Sequence, residues 1–360
     1  MNTRMIIGWS TDTIHALHKY VYNIKRCLPS DVSAEVVTRR PVFRVGLGEE
    51  ITNYFFYPFD ILKNREANIN HITSQEFAYL GFLPLKNLVV TVFDIFPITQ
   101  DAKYTRFNYK FRIRLGIKAL SRAKAIICIS KFTQDELTAR GVAEEKCTII
   151  PLGFNHKIYG KKPFKHIYEK YHLDKNKRYI LHVGSENERK NILRLVRAFA
   201  LVKKTQKDVV LLRVGRPQNP KQHQFVLGEI KKHGLEQSVR YIDQVSDKDL
   251  VPIYNLAEIS VFPSIYEGFG MPLIEAFACG CPTVTTTGPP MRENARDAAL
   301  LADPFSVKDL AEKMELLLSD TALQKKLARR GLKYSKDYTW ESITKRTVGV
   351  YREVLDKSNI

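Results

Sequence analysis

The segment PSIYEGFGMPLIEAFACGCPTV at residues 263–284 contains two glutamates, Glu267 and Glu275, on either side of a glycine-containing turn. It follows the run EISVFP, which has the apolar, β-branched composition of a buried strand. The glycines allow backbone conformations that other residues disfavour, and Pro272 suits the first turn of a helix. The segment therefore predicts a strand, a tight loop and a helix that begins near Met271.

Such a helix brings free amide groups and a partial positive charge to the loop before it, which is a physical basis for binding a diphosphate. Glu267 would lie before this anion site and Glu275 just inside the helix. A carboxylate accepts hydrogen bonds from paired hydroxyl groups, such as those of a ribose or a sugar ring. The alternative is that Glu267 faces solvent, Glu275 caps the helix and the glycines only turn the chain.

A second loop of this kind lies upstream, in HVGSENERKNILRLVRAFA at residues 182–200. A strand ends at Gly184, a polar loop follows, and the apolar residues of the next helix cover one face. Arg189 and Lys190 come at the start of this helix, where cations oppose the helix dipole unless an anion compensates them. A diphosphate would supply that anion, and a pair of solvated surface charges is the alternative.

Short apolar runs alternate with amphipathic segments along the whole chain. The first half contains MIIGW, AEVVT, LVVTVF, AIICI and CTII, and the second half contains YILHVG, VVLLRVG, VRYI, EISVFP and PTVTT. This alternation is typical of βαβ units with buried parallel strands. It predicts an α/β protein of two Rossmann-like, doubly wound domains, and the length of 360 residues also suits two domains.

The composition becomes basic, polar and poor in strand signals between residues 155 and 178, and we place the domain boundary there. The predicted domains are residues 1–160 and residues 161–337. Three helical patterns without intervening strands follow residue 303, and the last of them, at about 338–360, is able to pack on either half. The domain to which this last helix belongs is therefore left open.

The charge is strongly basic, with 57 lysines and arginines against 38 aspartates and glutamates and a formal net charge of +19. Nucleotide phosphates, acidic lipid and nucleic acid all qualify as partners. The five cysteines lack the paired spacing of a zinc site and fit a reduced, cytoplasmic setting, and Cys128, Cys279 and Cys281 are expected to be small buried residues. We expect no secretory signal and no membrane span, and no GxGxxG follows a strand, which argues against a Rossmann dehydrogenase.

Residues 103–124 contain eight basic residues and no acidic ones. A basic stripe and an apolar neighbour recur every four positions, formed by Arg106, Lys110, Arg114 and Lys118 and by Phe107, Phe111 and Leu115. Such a face is suited to an anionic membrane surface. An ordinary core-facing helix with a basic polar side fits the pattern equally well.

Two more segments, LSRAKAIICISKFTQDEL and KCTIIPLGFN, accompany the RKN run after its GS turn and the YEGFGMPLIEAFACGCPTV segment. Together, over about residues 88–301, these motifs resemble glycosyltransferase family 4, whose members are retaining enzymes of the two-domain GT-B fold. The resemblance implies two Rossmann-like domains that face a cleft. It implies that the N-terminal domain binds the acceptor and the C-terminal domain binds a nucleotide-sugar donor.

The resemblance also implies roles for single residues. Glu275 binds the nucleotide ribose, Glu267 lies close to the transferred sugar as a catalytic residue, and Arg189 and Lys190 neutralise the diphosphate. The remaining donor-binding positions lie in the two glycine-containing turns: Gly184, Ser185, Gly268, Phe269, Gly270, Met271 and Leu273. Fixed cations and helix dipoles then stabilise the developing phosphate charge, so that no metal is required.

The chain departs from the family pattern in its first half. The His-Asp pair usual at the end of one strand is here Phe93-Asp94. Asp94 is the second catalytic candidate, across the cleft from the donor sugar, and capping of a turn is its alternative role. The glycine-rich turn usual after the first strand is replaced by GWSTD at residues 8–12, where Ser10 or Thr11 would supply hydroxyl donors.

The predicted function is transfer of a hexose, of mannose or glucose type, from a GDP or UDP sugar to a hydroxyl of a glycan or lipid-linked glycan. The nucleotide sugar is a substrate, and we expect no cofactor and no metal because no DxD pair or histidine cluster is evident. A basic nucleic-acid- or lipid-binding protein without transferase activity is the alternative. Because no RRM, KH or helix-turn-helix signature accompanies the charge, we expect no nucleic acid. The expected location is cytoplasmic, with peripheral membrane contact through residues 103–124.

Overall fold

The computed structural model describes residues 1–7, 16–38, 57–63, 67–99, 107–217, 219–243 and 245–358. Contacts between residues divide the chain into two compact units. The first unit consists of Met1–Gly153 together with Tyr338–Ile360, and the second consists of Phe154–Asp337. The turn at residues 8–12, for which the sequence suggests hydroxyl donors, lies outside the described residues.

The first unit contains a six-stranded parallel sheet. Its strands are β1 (Asn2–Ile6), β2 (Ser33–Val37), β3 (Ile69–Ile72), β4 (Leu88–Val92), β5 (Ala125–Cys128) and β6 (Cys147–Ile149), in the spatial order β2-β1-β3-β4-β5-β6. Strands β3, β4 and β5 are buried along their whole length, as expected for a parallel sheet covered on both faces. The sequence analysis does not predict β3, because its sequence INHI places Asn70 and His71 where apolar residues are usual.

Among the described residues before Gly153, the α-helices of the first unit are α1 (Ala16–Arg26), α2 (Tyr57–Lys63), α3 (Phe107–Ala119) and α4 (Lys131–Thr138). A 3₁₀ helix at Gln75–Phe82 packs against α3. Ser130 caps α4, because its hydroxyl accepts a hydrogen bond from the amide of Thr133.

The packing of α3 differs from the predicted apolar stripe. Phe111 is 51% exposed, whereas Arg112 is buried with its guanidinium 5.8 Å from the ring of Phe77 and 5.2 Å from that of Tyr109. Gly116 lies at this contact, where a Cβ would be 3.1 Å from the Cβ of Ala78, so the missing side chain favours the close approach of the two helices.

The second unit contains another six-stranded parallel sheet. Its strands are β7 (Arg178–Val183), β8 (Val209–Val214), β9 (Val239–Ile242), β10 (Ile259–Phe262), β11 (Thr283–Thr286) and β12 (Ala299–Ala302), in the order β12-β11-β10-β7-β8-β9. The sequence analysis does not predict β12, whose run ALLA is also typical of a helix. The strand order reverses between β7 and β10, and ligands of such sheets bind beyond the carboxyl ends of the strands at this switch point.

The helices of the second unit are α5 (Lys165–Lys170), α6 (Ile192–Thr205), α7 (Pro220–Lys232), α8 (Asp247–Leu256), α9 (Met271–Ala278), α10 (Met291–Ala295), α11 (Val307–Ser319) and α12 (Thr321–Ser335). Helix α9 begins at Met271, as predicted from Pro272 and the preceding glycines. The side chains of Ser306 and Asp320 cap α11 and α12, which accounts for two of the three helical patterns after residue 303.

The last helix, α13 (Trp340–Asp356), belongs to the first unit. The hydroxyl of Tyr351 lies 2.6 Å from Nδ1 of His71, and Nε2 of His71 lies 2.7 Å from the hydroxyl of Thr91. Burial lowers the pKa of His71 to about 3, so the imidazole is neutral. His71, one of the two polar residues in β3, therefore bonds β3 to α13. Within the described ranges, no helix has the length and apolar character needed to cross a membrane.

Candidate functional site

The loop at residues 263–270 joins β10 to α9 at the switch point of the second sheet. Gly270 has a φ of +92°, and a Cβ at this position would lie 2.3 Å from Cε of Met291, so only glycine fits. The amide of Leu273 donates to the carbonyl of Gly270 at 3.0 Å and closes the first turn of α9. The chain thus turns sharply and directs the N-terminus of α9 toward the loop.

Glu267 lies in this loop between two cations from the neighbouring loop after β7. Arg189 Nη1 lies 2.5 Å from Oε2 of Glu267, and Lys190 Nζ lies 2.6 Å from Oε1. The side chains of Glu267 and Lys190 are buried, and that of Arg189 is about a quarter exposed. The alternative of a solvent-facing Glu267 is therefore wrong, and the three side chains form one charged group at the edge of the sheet.

Burial and charge act in opposite directions on this group. Burial raises the pKa of Glu267, but the adjacent Lys190 and Arg189 cations outweigh it and the pKa lies below its ordinary value. Burial lowers the pKa of Lys190, while the Glu267 carboxylate opposes this shift. The carboxylate is therefore ionised at neutral pH, and the ion pairs depend on one another.

The cations are carried by a 3₁₀ turn at Glu188–Lys190, which we call the cationic turn, and α6 begins two residues later. Gly184 has a φ of +146° and its amide donates to Val214 at 2.9 Å, which fixes the point where the chain leaves β7. The hydroxyl of Ser185 accepts a hydrogen bond from Asn187 at 3.2 Å.

The two loops are joined by backbone hydrogen bonds. The amide of Ile265 donates to the carbonyl of Arg189 at 2.8 Å, and Arg189 Nη1 donates to the carbonyl of Tyr266 at 3.2 Å. Asn191 Nδ2 donates to the carbonyl of Pro263 at 3.1 Å. The residues predicted from separate motifs 77 positions apart therefore lie together in one site.

Glu275 lies in the second turn of α9 and accepts hydrogen bonds from two tyrosines. The hydroxyl of Tyr159 lies 3.2 Å from Oε1, and that of Tyr254 lies 3.1 Å from Oε2. Burial and the Glu275 charge raise the pKa of both phenols, so both remain donors at neutral pH. These contacts show that Glu275 does not cap its helix and that its carboxylate is held in a fixed direction.

The rest of the β10–α9 loop is formed by residues with little exposure. Gly268 and Phe269 are buried, Met271 is partly buried, and the carbonyl of Phe269 accepts a hydrogen bond from Asn294 at 2.5 Å. A cationic turn, a helix N-terminus and two oriented carboxylates thus converge on one edge of the sheet. Chemically, this set is suited to an anion that is linked to groups rich in hydroxyls.

Comparisons with known proteins agree with this arrangement. The family model "Glycosyl transferases group 1" matches residues 164–334, and the model "Glycosyltransferase Family 4" matches residues 18–157. The chain is 28% identical over 288 residues to O-antigen chain mannosyltransferase B of Escherichia coli, covering 77% of this chain and 74% of the relative. It is 24% identical to the Escherichia coli mannosyltransferase WbdA over 78% of this chain but only 36% of that longer protein.

The two models together cover most of the chain and identify it as a glycosyltransferase of the family 4 type. Two solved structures show that this glycosyltransferase has the two-domain GT-B fold. Sucrose-phosphate synthase from Thermosynechococcus elongatus has a TM-score of 0.80 at 20% identity and covers 99% of this chain and 100% of that one. Anabaena HepE, solved in complex with UDP and glucose, also has a TM-score of 0.80 at 15% identity, with 97% and 99% covered. The alternative of a nucleic-acid- or lipid-binding protein without transferase activity is not favoured.

Asp94, the second catalytic candidate of the glycosyltransferase, lies in the first unit. Its Oδ1 accepts a hydrogen bond from the amide of Phe96 at 3.1 Å, which is the turn-capping contact considered as its alternative role. The residue is partly buried, and the preceding Phe93 packs edge-on against Tyr20 with ring centroids 5.3 Å apart. Phe93, which stands where the family usually has histidine, therefore makes an apolar contact at this position.

Sequence reasoning missed Tyr159 and Tyr254, which bind the Glu275 carboxylate. Tyr159 lies in the basic segment at residues 155–178, where the domain boundary is predicted, and Tyr254 lies on the apolar face of α8. The sequence around these tyrosines therefore does not indicate that their hydroxyls bind a carboxylate. The five cysteines are free, and Cys128, Cys279 and Cys281 are buried as predicted. Across the described ranges, no cluster of three or more His, Cys, Asp or Glu is arranged to hold a metal ion.

Proposed function

We propose that this glycosyltransferase transfers a hexose, mannose, from a nucleotide diphosphate sugar to a hydroxyl group of a glycan or lipid-linked glycan. The observation that supports the donor is the convergence of Arg189, Lys190 and the N-terminus of α9 at the switch point of the second sheet. Cations and free amides are the groups that hold a diphosphate. The names of the mannosyltransferase relatives support mannose, and the complex of HepE with UDP and glucose supports a nucleotide sugar, with GDP and UDP as the candidate bases.

In this proposal the residues have the roles that the family resemblance implies, and their contacts within the site support those roles. Lys190 and Arg189 bind the diphosphate and stabilise the charge that develops on it when the bond to the sugar breaks. Glu267 lies beside the transferred sugar, and Glu275 accepts hydrogen bonds from the ribose hydroxyls in the direction set by Tyr159. The acceptor hydroxyl attacks on the face that the diphosphate leaves and gives its proton to a phosphate oxygen, so that the anomeric configuration is retained. No step in this scheme uses a metal ion.

The second unit is the donor domain in this proposal, and the first unit is the acceptor domain, with Asp94 as the residue that orients the acceptor hydroxyl. The test of this role is Asp94→Asn. It should lower turnover on a glycan acceptor and leave the dissociation constant of the nucleoside diphosphate unchanged, and a changed nucleotide affinity with normal turnover would contradict the assignment.

A calorimetric titration of the purified protein with UDP, GDP and ADP, each with and without a divalent cation, tests the donor site. We expect one nucleotide to bind without metal and Lys190→Ala to weaken it by on the order of tenfold or more, because a charge-assisted contact is lost. Lys170→Ala is the matched control, since Lys170 pairs with Asp249 at 2.7 Å on the exposed surface of the same unit. Failure of the wild-type protein to bind any nucleotide would refute the donor site.

We further propose that the protein is cytoplasmic and contacts an anionic membrane surface through α3. Phe111, Arg114 and Lys118 are exposed on this helix, so an apolar ring accompanies two cations. Sedimentation with vesicles of anionic lipid and of neutral lipid tests this contact. Binding should require anionic lipid and should weaken in the double variant Arg114→Glu and Lys118→Glu, because each cation contributes ~1 kcal/mol near such a surface. Equal sedimentation of both proteins would contradict it.

A further inference from the structure

A second group of ionisable side chains is buried in the second unit, behind the cationic turn. Arg213 on β8 and Glu186 in the loop after β7 have no exposed surface, and Arg213 Nη2 lies 3.2 Å from Glu186 Oε1. The other oxygen of Glu186 lies 2.6 Å from Nδ1 of His223 on α7. Arg213 Nη1 also donates to Nδ1 of His182 on β7. We call these four residues the buried network.

Stability alone is a poor explanation for this network. Taking two charges out of water is costly, and a well-packed apolar pair often stabilises a fold as well as a buried ion pair does. The sheet register pairs His182 with Arg213, so two polar residues interrupt adjacent strands that are otherwise apolar. A specific role for Arg213 and Glu186 is therefore more consistent with their burial than general packing is.

The network lies directly beneath the loop that carries the predicted phosphate-binding residues. Glu186 follows Ser185 and comes four residues before Lys190 in the same loop. The two strand ends beneath the loop are also in close contact, since a Cβ at Gly215 would lie 2.5 Å from the carbonyl oxygen of Gly184. The salt bridge of Glu186 with Arg213 therefore fixes the loop to β8 at the point where the glycines supply no side-chain contacts.

The hydrogen-bond pattern also determines the tautomer of His182. A guanidinium only donates, so Nδ1 of His182 accepts and the ring proton is on Nε2. Burial, followed by the charges of Arg213 and Lys190, lowers the pKa of His182 well below its usual value and keeps the ring neutral. In the part of the chain that the structure describes, Nε2 has no hydrogen-bond partner. The ring lies 3.3 Å from the position of a Cβ on Gly184, next to Lys190.

Arg213 is close enough to the cationic turn to act on its charge. Burial lowers the pKa of Lys190, Glu267 opposes this shift, and the positive charges of Arg189 and Arg213 add to it. The guanidinium of Arg213 thus lies behind the two cations that face Glu267, with its own charge paired to Glu186. Electrostatic attraction of an anion is stronger in a buried site than at the surface, because the surrounding dielectric is low.

We propose that Arg213, held between Glu186 and His182, is a positioning residue that fixes the loop at residues 184–190 in the conformation that receives the donor diphosphate. This inference rests on the proposed donor site. It assigns Arg213 no contact with the substrate, because its side chain is wholly buried. A role of this kind acts on the diphosphate in particular and not on the nucleoside.

The test compares Arg213→Met with wild type by calorimetry, using UDP and GDP and the corresponding monophosphates. We expect the dissociation constant of the diphosphate that wild type binds to rise by on the order of tenfold. The monophosphate should change by less than about twofold, because its nucleoside contacts are intact and it has one phosphate fewer for the cationic turn to bind. Arg213→Lys keeps the charge but not the two-armed geometry, and should recover part of the diphosphate affinity.

Arg178→Met is the matched control, because Arg178 binds both oxygens of Glu258, at 2.6 and 2.5 Å, at the opposite end of β7. It should lower the melting temperature without changing the ratio of diphosphate to monophosphate affinity. If Arg213→Met does not fold, His223→Gln at the partly exposed end of the network should lower the same ratio to a smaller extent. An unchanged ratio in the folded Arg213 or His223 variants would overturn the inference, whereas failure of wild type to bind any diphosphate would refute the proposed function as well.

Discussion

Glu267→Gln removes the negative charge that pairs with Arg189 and Lys190 when no nucleotide sugar is bound. In the described structure the carboxylate takes the place on Arg189 and Lys190 that the diphosphate occupies in the proposed function. Loss of one member of a buried ion pair typically costs about 3–5 kcal/mol, because the partner charge stays buried without compensation. Since Arg189 is partly exposed, we expect the lower end, about 3 kcal/mol of unfolding free energy.

A bound diphosphate would compensate the two cations in the variant as well as in the wild type. The variant therefore regains on binding part of the free energy that it lost in the free state. If about half of the loss is regained, ~1.4 kcal/mol, the nucleoside diphosphate should bind about tenfold more tightly to Glu267→Gln than to the wild type. Turnover should fall by on the order of a hundredfold, because the carboxylate beside the transferred sugar is missing.

The assay is calorimetric titration with the nucleoside diphosphate, together with thermal unfolding with and without it. We expect the variant to melt at a lower temperature than the wild type when free and to gain more from saturating nucleotide. Glu229→Gln is a control on α7, where Glu229 accepts hydrogen bonds from Arg197 at 2.9 and 3.1 Å away from the donor site. Weaker nucleotide binding in Glu267→Gln than in the wild type would refute the idea that Glu267 competes with the phosphates.

Three other outcomes are expected. Glu275→Ala should mainly weaken nucleotide binding, by roughly 1.5–3 kcal/mol as charge-assisted contacts to ribose are lost, with turnover at saturating donor little changed in product assays. Gly270→Ala should lower the melting temperature, because a residue with a Cβ is strained at a φ of +92° and the side chain of Met291 would have to move. The lowered pKa of His71, about 3 against 6.5 in the unfolded chain, means that the unfolded state binds more protons below pH 6.5. Denaturant titrations should therefore show that the free energy of unfolding decreases as the pH is lowered from 6.5 to 3, by up to ~1.4 kcal/mol per pH unit. The variant His71→Gln should reduce this slope.

The strands that the sequence predicts are those with continuous apolar runs, and the two that it misses have a physical reason. In β3, Asn70 and His71 are buried because they bind other parts of the first unit, including Tyr351 on α13. In β12, alanine and leucine have no preference for strand over helix, and pairing with β11 decides the conformation. Local pattern therefore finds a strand only where local propensity and tertiary environment agree.

The candidate site was predictable to the extent that its residues lie within two local motifs. The spacing of Glu267 before Pro272 and the position of the cationic turn after β7 are properties of short segments. The ion pairs between these segments are not, because they depend on the adjacency of β7 and β10. The charge of α3 shows the same limit: the four-residue period places Phe111 and Arg112 on the helix, but the close packing at Gly116 decides which of them is buried.

Arg213 illustrates why the buried network could not be found from spacing. The run VVLLRV predicts a strand, and nothing local distinguishes an exposed arginine from a buried one. Its partners His182 and Glu186 come from a strand and a loop, 31 and 27 positions away along the chain, and only the sheet register places His182 beside it. The sheet register shows that Arg213 is buried directly behind the loop that carries Arg189 and Lys190. Because burial of a charge is costly, this position indicates a specific role for Arg213. The charge at the cationic turn is therefore a property of the assembled sheet, and measurement of the diphosphate-to-monophosphate affinity ratio is the experiment that separates it from the local motif.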